Sequence, residues 1–97
     1  MRTQRILKII AQKYEVTFSE LCTHNKRSDQ RITAGKQTAA YMLKRHTDMS
    51  NIQIAQVLDW KSKANVIMSR KSVINIASGN KAEKERLDQI DKLILGD

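Results

Sequence analysis

The 97-residue sequence lacks proline and contains one cysteine, three glycines and few aromatic residues. A single cysteine, Cys22, cannot form an internal disulfide, which is typical of proteins in the reducing cytoplasm. No apolar run approaches the roughly 18 residues that span a bilayer, so we expect no membrane partner. With few aromatic side chains the core must come mainly from aliphatic residues, which favours helices packed on helices. We interpret the aromatic residues that are present as packing residues: Tyr14, Phe18, Tyr41 and Trp60.

Sequence motifs for catalysis, metal binding and nucleotide binding are also missing. The spacing of Cys22, His24 and His46 matches no common zinc site. Neither a nucleophile-base pair nor a pair of carboxylates suited to acid-base catalysis is evident. The three glycines do not form the G-x-x-x-x-G-K-[ST] loop that holds nucleotide phosphates. We therefore predict that the protein is not an enzyme and uses no metal and no cofactor.

Positive charge is what the sequence has in excess. Eighteen Lys and Arg residues stand against ten Asp and Glu residues, which gives a net charge of +8. Residues 24–76 contain ten basic and three acidic side chains, whereas residues 79–97 are close to neutral. A surplus of this size in a small chain indicates a polyanionic partner that meets the middle of the sequence.

Apolar residues recur with helical spacing and predict an all-α fold of five to six helices, in a single domain that spans residues 1–97. Thr17–Glu20 and Ser50–Gln53 have the spacing of capping boxes, in which two side chains at a helix start satisfy each other's free backbone amides. Residues 24–33 are polar and basic and predict a loop. The predicted helices cover residues 2–14, a short segment that ends at Cys22, and residues 34–46, 51–58, 63–77 and 81–95.

Two of these helices form the outline of a helix-turn-helix at about residues 51–77, because only a short turn separates them. In this motif the second helix enters the major groove of a DNA duplex, and its first residues meet the base edges. Asn bonds adenine in two places, Lys donates to guanine, and small side chains touch the thymine methyl group. We therefore predict sequence-specific binding to double-stranded DNA, with base reading by Ser62, Lys63, Ala64 and Asn65.

Three stretches of the sequence, residues 36–47, 50–58 and 61–66, resemble motifs of the C-terminal DNA-binding domain of the bacterial replication initiator DnaA, which has a Trp-repressor-like fold. Residues 36–47 (KQTAAYMLKRHT) are similar to R-Q-x-A-M-Y-L-x-R-E-x-T, and residues 50–58 (SNIQIAQVL) are similar to S-L-x-E-I-G-x-x-F. Residues 61–66 (KSKANV) stand where the family has R-D-H-[ST]-T-V. The resemblance covers most of the chain. It implies duplex binding by a monomer, with a role in replication initiation or transcription regulation.

The resemblance also implies which side chains meet DNA. By position, Lys26, Arg27 and Arg31 contact the DNA backbone or the minor groove, and Lys36 stands where the family has a DNA-contacting arginine. The base-reading residues differ from the family motif, so the resemblance implies no particular target sequence. The full predicted DNA-binding set is Lys26, Arg27, Arg31, Lys36, Lys61, Ser62, Lys63, Ala64, Asn65 and Lys71.

A second interpretation stays open, in which the basic helical chain docks an acidic protein, such as another replication or phage protein. Binding to random duplex DNA at low salt separates the two interpretations, because a duplex binder retains nonspecific affinity under that condition. A complete initiator also needs the phosphate-binding loop that this sequence lacks. We therefore expect a stand-alone relative, from a phage or mobile element, or a regulator built on the same domain.

Overall fold

The computed structural model describes residues 2–22 and 29–96, and neither range contains a β-strand. The all-α prediction is confirmed. Within these ranges no helix combines the length and the apolar character needed to cross a membrane. The helices are α1 (Arg2–Tyr14), α2 (Phe18–Cys22), α3 (Gln30–His46), α4 (Asn51–Val57), α5 (Lys63–Gly79) and α6 (Lys81–Leu95).

A core of mostly aliphatic side chains joins these helices. Ile6 and Ile10 lie on the same face of α1, and Ile90 and Ile94 lie on the same face of α6, because residues four apart in a helix are neighbours. Tyr14 is buried, and its hydroxyl pairs with the Thr38 hydroxyl at 2.8 Å. Other fully buried members of the core include Leu7, Leu21, Met42, Leu43, Ile54 and Val66.

The remaining aromatic residues divide between the core and the surface. Tyr41 and Trp60 are partly buried and pack against the core, as expected. Phe18 does not join it, because its side chain is 36% exposed at the start of α2. The packing role that we predicted for Phe18 is therefore wrong.

Local capping interactions set the helix starts that the sequence predicted. The backbone amide of Thr17 donates to the Glu20 carboxylate at 2.8 Å, and the Glu20 amide donates back to the Thr17 hydroxyl at 3.0 Å. The same reciprocal pair joins Ser50 and Gln53, at 2.9 and 3.2 Å. Both predicted capping boxes are confirmed, and they fix where α2 and α4 begin.

The start of α3 differs from the prediction. We expected a loop over residues 24–33, but α3 already begins at Gln30. Asp29 is its N-cap, since the Asp29 carboxylate accepts a hydrogen bond from the Arg31 backbone amide at 2.8 Å. This hydrogen bond is the main reason why the pKa of Asp29 lies below its ordinary value. The predicted loop is therefore wrong for residues 30–33, and residues 23–28 lie outside the described ranges.

The two helices of the predicted helix-turn-helix pack against each other, with residues 58–62 as the turn between them. The Trp60 amide donates to the Ala55 carbonyl at 2.8 Å, which closes the turn onto α4. Asp59 adopts a φ of 56°, in the left-handed region that Asp tolerates better than most residues. Because α3 also packs along α5, the second helix is held on two sides.

Candidate nucleic-acid interface

The first turn of α5 lies at the molecular surface. Ser62 is the N-cap, and its hydroxyl accepts a hydrogen bond from the Ala64 amide at 3.1 Å. Lys63, Ala64 and Asn65 are exposed, and Val66 is the first residue of α5 to be fully buried. The four residues predicted to read bases therefore share one accessible helix start, which is the part of a recognition helix that meets base edges.

The outer face of α5 continues from this first turn. Three residues follow Ala64 by four, seven and eleven positions: Met68, Lys71 and Asn75. These spacings place all four side chains on one side of the helix, and all four are exposed. Val66, Ser69 and Val73, in contrast, are buried. The sequence of α5 contains no acidic residue. The outer face of α5 therefore presents no carboxylate of its own to a DNA backbone.

A groove of about 410 Å³ runs between α5 and the first half of α3. Asn65 borders this groove, and so does Thr33 in the first turn of α3. Arg31 lies in the same first turn, and its side chain is 60% exposed, with a carboxylate oxygen of Asp29 at 3.6 Å. The start of α5 and the start of α3 thus border one side of the molecule. The groove is lined by Thr33, Lys36, Gln37, Trp60, Asn65, Met68, Ser69 and Ser72.

Lys36 is buried, in contrast to the other described cations of the predicted DNA-binding set, Arg31, Lys61, Lys63 and Lys71, which are exposed. Its side chain is buried, with 7% exposure, and its Nζ donates to the Leu58 carbonyl at 3.0 Å. Burial lowers the pKa of Lys36, and the Asp59 carboxylate and Cys22 thiol act in the opposite direction. A direct contact from Lys36 to DNA would require the hydrogen bond to Leu58 to break. The DNA contact predicted for Lys36 rests on the resemblance alone, because the family has a DNA-contacting arginine at this position.

Three other predicted cations are exposed on α5 or immediately before it. Lys61 and Lys63 are exposed on either side of Ser62, and Lys71 is exposed farther along the outer face of α5. Such side chains can neutralise phosphates on both sides of an inserted helix. Lys26 and Arg27 lie outside the described residues.

Met68 was missed by the sequence analysis. Met68 is absent from the predicted DNA-binding set, but it is 67% exposed and borders the groove beside Asn65. The helical spacing of the sequence could have identified Met68. It lies four residues after Ala64, on the exposed side of the helix, and not at the spacing that would place it on the same side as Val66 and Val73.

The residues considered as metal ligands have other surroundings. His46 Nε2 lies 2.7 Å from an Asp91 carboxylate oxygen, and this contact joins α3 to α6. Cys22 is half-buried, and burial raises the pKa of its thiol. In the described ranges no three His, Cys, Asp or Glu side chains come close enough together to hold a metal ion. His24 lies outside those ranges.

Comparison with known proteins points to one family. The family model described as "Bacterial dnaA protein helix-turn-helix" matches residues 3–73, so the match includes α4, the turn and the first half of α5. The chromosomal replication initiator protein DnaA of Nostoc punctiforme is 24% identical over 91 residues, which is 94% of this chain and 19% of the relative. The same protein of Synechocystis is 27% identical over 66 residues, covering 68% of this chain and 14% of the relative. The DnaA of Bacteroides fragilis is 25% identical over 89 residues, covering 92% and 18%. This chain therefore spans at most about a fifth of the length of these relatives.

Proposed function

The chain belongs to the bacterial DnaA helix-turn-helix family, and from this membership we propose that it binds double-stranded DNA with a sequence preference by inserting the start of α5 into the major groove. The observation that carries the proposal is the exposed first turn of α5, in which Lys63, Ala64 and Asn65 precede the first buried residue. The absence of acidic residues from α5 supports it, since the helix must pass between two phosphate backbones.

Affinity and sequence preference come from different side chains in this proposal. The exposed ammonium groups of Lys61 and Lys71, together with the Arg31 guanidinium, neutralise phosphates and release counterions. Asn65 bonds an adenine through both ends of its amide, and Lys63 donates to guanine acceptors. The phosphate contacts set the position of the domain on the duplex, and the base contacts choose the sequence.

The target sequence differs from that of the family in this proposal. The family motif has R-D-H-[ST]-T-V where this chain has KSKANV at residues 61–66, so the side chains that face the bases have changed. The family model matches the sequence of α4, the turn and α5 as far as residue 73, which supports a scaffold shared with the family. A different set of base contacts on the same scaffold selects a different site.

The relatives are named as replication initiators, and we propose a role for this chain at replication origins or at regulated promoters. It acts as a monomer on individual sites in the cytoplasm, where bacterial DNA lies. The chain matches at most about a fifth of each relative's length, and the part of the role that this proposal assigns to it is site recognition.

Selection of bound sequences from a random duplex pool tests this proposal. We expect enrichment of a short motif, which the wild-type protein binds more tightly than a scrambled duplex. Asn65→Ala should lose about 1–3 kcal/mol on the selected duplex and little on the scrambled one. Gln12→Ala removes an exposed amide from α1, whose residues do not line the groove beside Asn65, and it should change neither affinity.

Besides failure to enrich a motif, which would overturn the proposal, two results of the binding measurements would contradict it in whole or in part. If Asn65→Ala loses equal affinity for selected and scrambled DNA, then Asn65 does not read a base. No binding to random duplex at low salt, even at tens of micromolar protein, would favour the acidic-protein partner, because nonspecific duplex binding typically has a Kd of about 10⁻⁴ to 10⁻⁶ M.

A further inference from the structure

Met68 is the most exposed large hydrophobic side chain among the described residues, at 67%. It lies on the outer face of α5, four residues after Ala64 and three residues after Asn65. Side chains at these spacings are neighbours on a helix surface. The Ala64 methyl group and the Met68 thioether therefore form a small apolar strip, with Asn65 on one side and Lys71 on the other.

Folding does not explain why an apolar side chain stands at this place. Val66 and Val73 provide the buried contacts of α5, and they lie on a different side of the helix from Met68. Single exposed hydrophobic residues are common on protein surfaces. What distinguishes Met68 is its position beside Asn65, in the part of α5 that meets the bases in the proposed docking.

In the major groove the thymine methyl group is the main apolar feature of the base edges, and the other positions offer hydrogen-bond donors and acceptors. A thioether against a polar edge would displace water from that edge without replacing its hydrogen bonds. Against a thymine methyl group it would bury apolar surface on both sides. The flexible methionine side chain can also adjust to the exact position of that group.

We propose that Met68 contacts the methyl group of a thymine, so that the target of this domain contains an A·T pair facing the Ala64–Met68 strip. This inference rests on the proposed function, since it requires the start of α5 to lie in the major groove. Met68 stands about 4.5 Å along the helix axis from Asn65, and successive base pairs are about 3.4 Å apart. The thymine therefore lies within about two base pairs of the position that Asn65 reads.

Replacement of each thymine of the selected duplex by deoxyuridine, one at a time, tests this contact, because uracil lacks only the methyl group. For the wild-type protein we expect one position at which the replacement weakens binding about fourfold, the loss that corresponds to one buried methyl group. Met68→Ala should bind the thymine duplex more weakly and should be insensitive to uracil at that position. Met68→Leu keeps an apolar side chain and should retain the sensitivity.

Ile74→Ala is the matched control, because Ile74 is also an exposed apolar residue of α5, with 48% exposure, but borders a different groove beside α6. It should keep both the affinity and the sensitivity to uracil. All three substituted proteins should melt close to the wild type, since neither Met68 nor Ile74 is buried.

The possible outcomes distinguish a failure of the Met68 contact from a failure of the proposed function. A preferred duplex that depends on Asn65 but has no uracil-sensitive position would overturn the Met68 contact alone. Uracil sensitivity that persists in Met68→Ala would do the same. Failure to enrich any motif would overturn the proposed function, and the Met68 contact with it.

Discussion

The Lys36 ammonium donates a hydrogen bond to the Leu58 carbonyl at 3.0 Å, across 22 positions of the sequence. Leu58 is the C-cap of α4, where backbone carbonyls lack helical partners and a positive charge is favourable. The bond therefore ties α3 to the turn that leads into α5. Lys36 holds the base of the helix-turn-helix in place from inside the molecule.

Lys36→Met keeps the length of the side chain and removes the hydrogen bond. We expect it to lower the free energy of unfolding by about 1–3 kcal/mol, because the Leu58 carbonyl is left without this donor. DNA affinity should fall while its dependence on salt stays unchanged, since Lys36 neutralises no phosphate in this conformation. Urea denaturation and binding at several salt concentrations measure both effects.

The control for this prediction is Lys8→Met, the same substitution at an exposed position of α1. It should change neither the stability nor the salt dependence. A decrease of about one unit in the salt slope for Lys36→Met, without loss of stability, would instead show that Lys36 contacts a phosphate directly.

Lys61→Gln should have the opposite pattern. Lys61 is exposed beside the N-cap of α5, so its loss should leave stability within about 0.5 kcal/mol of the wild type. Affinity should fall on selected and scrambled duplexes alike, and the slope of log K against log salt should decrease by about one. Fluorescence anisotropy on both duplexes measures this, with Lys8→Gln as the charge-matched control. A loss confined to the selected duplex would mean that Lys61 reads a base.

Features that depend on neighbouring residues could be predicted from the sequence. The reciprocal hydrogen bonds of Ser50 and Gln53 span three positions, so their spacing alone marks the start of α4. The N-cap of α5 is equally local, because the Ser62 hydroxyl accepts a hydrogen bond from the Ala64 amide two positions later. The exposed start of α5 followed from these two local signals, and with it the position of the candidate site.

Features that depend on distant packing could not be predicted. The partner that buries Lys36 is 22 positions away, and nothing in the residues around Lys36 indicates it. The exposure of Met68 depends on which faces of α5 are covered by α3, α4 and α6. The early start of α3 is a different case, because Asp is a common N-cap residue and Asp29 is therefore a local signal, within a segment whose polar and basic composition is otherwise typical of a loop.

The Asp29 cap should make stability depend on pH. The folded-state pKa of Asp29 lies below its ordinary value of 3.8, so the stabilisation is present above pH 3.8 and is lost as the pH falls through the folded-state value. Asp29→Asn keeps a capping side chain but has no titrating group. Below pH 3.8 the melting temperature of the wild type should therefore fall relative to that of Asp29→Asn. A difference that stays constant down to strongly acidic pH would contradict the role of the Asp29 charge.

Gly79 and Gly35 should respond differently to the same substitution. A Cβ at Gly79 meets nothing within 4 Å, so Gly79→Ala should stabilise the protein by about 0.5–1 kcal/mol through the lower flexibility of the unfolded chain. A Cβ at Gly35 would lie 3.0 Å from a methyl carbon of Leu21, which is fully buried beneath α3. Gly35→Ala should therefore lack this gain or lower stability, because the core around Leu21 has little room to shift. Urea denaturation of both proteins measures the difference, and equal stabilisation by the two substitutions would show that α2 can move away from α3 at little cost.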